Sequence, residues 1–107
     1  MYTRSYQEII KDIRAFEPSG EEYWLPCDDL LEELWTHKIT TETLKILFEV
    51  FERYPEDDGA GVLFSIVHGV ESLGIPYEEE LNASFKRQPS HMAKTMIRRI
   101  ENAKKNG

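Results

Sequence analysis

His68 and Glu71 lie three residues apart within Gly61-Val62-Leu63-Phe64-Ser65-Ile66-Val67-His68-Gly69-Val70-Glu71, a spacing that puts an imidazole and a carboxylate on one helical face. The chemistry open to such a pair is proton transfer or metal ligation. A zinc-protease helix sets two His four residues apart around a Glu, but this helix carries one His, and His37 and His91 fall on other segments. The run Glu56-Asp57-Asp58-Gly59 invites a calcium reading. Placing Gly59 at the glycine position of an EF-hand loop puts Tyr54 first and Ser65 twelfth, where carboxylates are needed. Cys27 stands beside Asp28 and Asp29, which disfavour its thiolate, while a helix N-terminus there would act the other way. The chain has no glycine-rich phosphate loop, nucleophile motif or cofactor fingerprint. The expectation is therefore no enzyme, no cofactor and no metal, with a hydrolase built on His68 and Glu71 as a third-ranked alternative. Phe64, His68 and Glu71 recur at i, i+4 and i+7, a stripe that rims the core or faces a groove. His68 is expected to be partly buried and hydrogen-bonded to a neighbouring helix.

The elements that must hold these residues are helices. Tyr6, Ile9, Ile10, Ile13 and Phe16 follow helical spacing over 3–16, and Pro18-Ser19-Gly20 ends that segment. A second helix after Pro26, with Asp28 and Asp29 in its first turn, carries Leu30, Leu31, Leu34 and Trp35 to about His37. Thr40 or Thr41 caps a third helix with Leu44, Leu47, Phe48 and Phe51 inward, ending before Pro55. Asp57 or Asp58 caps a fourth from about Ala60 to Leu73, stopped by Gly74. Its apolar circumference predicts the most buried helix of the set. Pro76 opens a fifth with Tyr77, Leu81 and Phe85 inward. Ser90 caps a sixth with Met92, Ala93, Met96, Ile97 and Ile100 inward, and its last residues are expected to fray. Period-two alternation is absent. The reading is all-α: about six helices in three antiparallel pairs, as a short α-solenoid-like array or an orthogonal bundle.

A chain of 107 residues suits one domain with one core. No stretch has the apolar length of a membrane span or the pattern of a signal peptide, and Cys27 is alone, so the expected location is the reducing cytoplasm. The net charge of −7 is unevenly spread: residues 1–80 hold 19 acids against 6 bases, and residues 81–107 hold one acid against seven bases. Within 17–58 there are 13 acids and 3 bases. Such a surface repels nucleic acid and membrane phosphate and speeds encounter with a basic partner. The basic end reads as helix-end electrostatics plus pairing with the acidic body.

Tyr23 and Trp24 stand among Glu21, Glu22, Asp28 and Asp29, off any periodic apolar face. Trp24 either plugs the gap between the first two helices or serves as the centre of a contact surface. The candidate partner-binding residues are Tyr23, Trp24, Asp28, Asp29 and Glu32, with Glu56, Asp57 and Asp58 if the loops fall on one edge of the array. His68 and Glu71 join them as part of a binding groove. The partner class is a basic protein, with neither nucleic acid nor membrane.

Residues 44–102 resemble small all-helical immunity proteins of bacterial polymorphic toxin systems, including those of contact-dependent growth inhibition. The likeness is strongest at Ser65-Ile66-Val67-His68 and Glu71. The chain departs from the family pattern at Arg98-Arg99-Ile100-Glu101-Asn102, where a Leu- and Asn-rich ending is expected. The resemblance implies a protein that neutralises the toxin domain of a sibling effector, often a nuclease. The alternative is a helical-repeat adaptor for a basic partner or peptide in another pathway.

Overall fold

The computed structural model describes residues 4–18, 24–57 and 61–106. They form six helices: α1 (Tyr6–Ala15), α2 (Leu25–Leu34), α3 (Thr41–Arg53), α4 (Val62–Ser72), α5 (Glu78–Arg87) and α6 (His91–Asn106). The described residues contain no strand, and none of their helices is long and apolar enough to cross a membrane.

Local chemistry accounts for half of the helix starts. Ser5 caps α1 in a reciprocal box with Glu8, each side chain accepting from the other residue's backbone N–H. Thr40 precedes α3 and donates its backbone N–H to Thr43 Oγ1. Ser90 Oγ accepts from the Ala93 N–H and so caps α6. The expected cap of α4 by Asp57 or Asp58 is corrected. The residue at that position is Gly61 at φ 88°, a left-handed conformation suited to glycine, so no carboxylate occupies it; Asp58 lies outside the described residues. Pro76 also is not the first residue of α5 as expected but lies two residues ahead of it, because the helix begins at Glu78 after Tyr77.

The helices pack as α1 on α2, α3 on α4 and α5 on α6, with α1, α3 and α5 adjoining along one layer and α2, α4 and α6 along the other. This is the connectivity of stacked helical pairs. Contacts between helix ends give the directions. Within a pair, the start of α1 meets the end of α2 through Arg4 and Glu33, and the start of α5 meets the end of α6 through Glu78 and Lys104. Within a layer, starts meet starts, as in Tyr6 with Thr43 and Asp28 with Ser65. Ends meet ends where Arg53 donates to the Ile13 and Arg14 carbonyls, and where Arg87 reaches Glu52. Pairs are therefore antiparallel and layers parallel.

The core runs between the layers, through Ile9 and Ile13, Leu31 and Leu34, Leu63 and Val67, and Leu81 and Met92. Its centre is α3, which touches α1, α4, α5 and α6 and buries Thr43, Leu44, Ile46, Leu47, Phe48, Val50 and Phe51. The expectation that α4 is the most buried helix is thus corrected. It has the more apolar sequence, but it occupies the middle of the layer that keeps Phe64, Ser65, Gly69 and Glu71 half-buried and His68 exposed. Gly69 in α4 is a packing position: a Cβ there would lie 2.2 Å from the ring of Trp35, the residue that follows α2.

Candidate partner-binding surface

One end of the molecule gathers the termination of α1 and α3 and the start of α2, α4 and α6. Trp24 is buried there, 5% exposed. Its ring lies 5.4 Å from Phe16 and 5.2 Å, edge-on, from Tyr54, a geometry aromatic pairs favour. Trp24 is therefore the plug rather than an accessible contact residue, and the aromatic centre expected of the surface is corrected to a buried support. Tyr23 lies outside the described residues. The exposed apolar group at this end is Leu25, 61% exposed, in the first turn of α2.

Asp28, Asp29 and Glu32 follow on α2. Asp28 is half-buried and accepts a hydrogen bond from Ser65 Oγ at 3.2 Å, tying α2 to α4. Asp29 and Glu32 are exposed, one turn apart on the outward side with Leu25. Glu56 and Asp57 line a cleft of about 480 Å³ with Tyr54, Pro55 and His91. The cleft forms because the His91 N–H donates to the Pro55 carbonyl at 2.7 Å, which fastens the segment after α3 to the start of α6. Asp28, Asp29, Glu56 and Asp57 thus share one end of the array, the condition under which sequence grouped them, whereas Glu32, in the last turn of α2 beside Glu33, lies towards the opposite end. Cys27 is buried beneath them, and burial, reinforced by Asp28, pushes its thiol up to about 11.

His68 and Glu71 part company. The His68 ring is exposed and lies 6.2 Å from that of Phe64, one turn earlier; among the described residues it makes no hydrogen bond to a neighbouring helix, contrary to expectation, because its face of α4 points to solvent. Glu71 takes two hydrogen bonds from Arg99 of α6, at 2.8 and 2.9 Å. Glu71 stands at the far end of α4 from Asp28 and Ser65, and His68 one turn beyond Ser65 in mid-helix, so neither sits with Asp29 and Glu56. Glu71 lines instead an open groove of about 1220 Å³ between the segment after α4, the start of α5 and the end of α6. Sequence reading missed this groove, whose signals were the Ile75-Pro76-Tyr77 connection and the Ile100 and Ala103 positions of α6.

Three of the seven bases of residues 81–107 pair internally, Arg87 with Glu52, Arg99 with Glu71 and Lys104 with Glu78, while Lys86, Lys94, Arg98 and Lys105 are exposed with no ion pair among the described residues. Hydrogen bonding to those carboxylates raises the Arg87 and Arg99 guanidinium values further. Among the described residues no three His, Cys, Asp or Glu side chains come together as a metal-binding group.

Fold and site together define a small all-α stack of three helical pairs with Asp29 and Glu56 exposed at one end, the acidic end. No family model matches the chain, and neither a curated protein nor a solved structure matches it.

Proposed function

We propose that the protein is an immunity protein, which binds and neutralises the basic toxin domain, of nuclease type, of a sibling effector. The reading is carried by one observation. Three cationic side chains of the C-terminal region are neutralised by internal carboxylates, whereas Asp29, Glu32 and Glu56 stand exposed and, among the described residues, without an ion pair. Exposed unpaired acids give a negative field, which accelerates docking of a basic surface and opposes phosphate-bearing ligands. A nuclease cleft is basic because its substrate is a polyanion, so carboxylates laid across it compete with that substrate. The resemblance at Ser65-Ile66-Val67-His68 and Glu71 points the same way. The adaptor reading is favoured by the groove beside Glu71, whose shape suits a peptide.

The test uses the C-terminal domain of a large secreted protein encoded immediately upstream. Co-expression should protect cells, and the purified pair should associate with a rate that falls as salt is raised. Asp29→Lys/Glu32→Lys/Glu56→Lys should slow association at least tenfold and flatten its salt dependence, with an unchanged circular dichroism spectrum. Full protection by the triple variant, or wild-type association indifferent to ionic strength, would remove the acidic end from the mechanism. No neighbouring toxin, or no protection by the wild type, would leave the adaptor in its place.

A further inference from the structure

The groove at the opposite end is a second candidate for binding, separate from the acidic end. Its apolar lining comes from Ile75, Pro76 and Tyr77 after α4 and from Ile100 and Ala103 of α6. The facing walls carry Asn82 of α5 and Asn102 of α6, both exposed. Each primary amide offers a donor pair and an acceptor, the complement of a backbone peptide unit. The stretch of α6 that lines the groove, Arg99 to Lys104, rises about 7.5 Å at the helical 1.5 Å per residue. That length accommodates a short segment, one or two side chains deep.

Charge selects which segment. Both cations of the groove, Arg99 and Lys104, are held by Glu71 and Glu78. The remaining charged residue, Glu79 in the first turn of α5, is exposed and makes no ion pair among the described residues. The groove is therefore net negative where it is unpaired, over an apolar floor. The Tyr77 phenol is half-buried in it, and burial, followed by the Glu71 charge, raises its pKa. It stays protonated and able to donate at neutral pH, with a ring face that suits a cation.

We infer that this groove binds a short segment of a partner protein that places an aliphatic side chain beside a Lys or Arg, the aliphatic group on Ile75, Tyr77 and Ile100 and the cation at Glu79. The inference goes beyond the immunity reading, since it concerns the other end of the molecule and holds for any basic, apolar segment.

The test uses two acetylated and amidated twelve-residue peptides, one built on Leu-Lys pairs and one on Leu-Glu pairs, titrated into the isotopically labelled full chain. The Leu-Lys peptide should shift the backbone amide resonances of Ile75, Tyr77, Ile100 and Ala103, and bind at least tenfold more tightly than the Leu-Glu peptide. Glu79→Lys should weaken it at least tenfold, as should Ala103→Phe, which fills the groove from an exposed helical position; both variants should keep the wild-type circular dichroism spectrum. Absence of binding, equal affinity for the two peptides, or shifts centred on Asp29, Glu32 and Glu56 would overturn the inference. So would unchanged affinity in both variants. Because no toxin is present, a negative result here leaves the immunity reading standing, and the converse also holds.

Discussion

Gly69 lies within α4, where glycine is intrinsically poor. Replacing an interior helical Gly by Ala ordinarily stabilises by roughly 1 kcal/mol, through backbone entropy. At this site that gain is not expected. A Cβ on Gly69 would come within 2.2, 2.5 and 2.8 Å of three atoms of the Trp35 ring, so the ring must move off α4. Trp35 is half-buried against the core, and overpacking of this kind costs about 1–3 kcal/mol, at least enough to cancel the entropic gain. Gly69→Ala should therefore bring no stabilisation and cost up to about 2 kcal/mol when the two effects are set against each other. The decisive measurement is a double-mutant cycle by urea unfolding followed by circular dichroism. With the indole removed by Trp35→Ala, the obstruction is gone and Gly69→Ala should stabilise by roughly 1 kcal/mol. A stabilising Gly69→Ala in the wild-type background, or the same sign in both backgrounds, would refute the close approach of α2 and α4 at this point.

Two further outcomes follow from buried polar groups. Glu52 accepts from the fully buried Ser84 Oγ at 2.8 Å and from Arg87. Glu52→Ala should thus cost about 1–3 kcal/mol by stranding the hydroxyl, whereas Arg87→Ala, on the exposed side of the same pair, should cost under about 1 kcal/mol; equal losses in urea unfolding would contradict that split. The Cys27 thiol, raised from 9.0 to about 11 by burial first and Asp28 second, should resist iodoacetamide at pH 8 until the chain is unfolded, with quantitative alkylation of the native protein as the contrary result. The folded state holds that proton more tightly than the unfolded state, so its contribution to stability is complete below pH 9 and is lost as pH rises towards 11. Chemical denaturation across that range should show the decline, and Cys27→Ser should lack this part of it.

Much of the fold was written locally. The spacing of Ile9, Ile10 and Ile13, or of Leu44, Leu47, Phe48 and Phe51, marks helix faces because a 3.6-residue period is a property of the chain itself. Ser90 announces α6 for the same reason, since its hydroxyl reaches an N–H three residues on. The uneven charge is likewise read directly from the chain. What tertiary structure alone decided is which of those groups remain available. Asp28 meets Ser65 across 37 residues, Arg99 meets Glu71 across 28, and Ser84 meets Glu52 across 32. Trp24, placed by sequence in a loop among acids, is enclosed by Phe16 and Tyr54, and α3 displaces the more apolar α4 as the most buried helix because it contacts both its layer neighbours and two helices of the other layer. Helical periodicity extends only a few residues along the chain, whereas burial and ion pairing depend on which helix lies opposite, a choice made by packing the whole core at once.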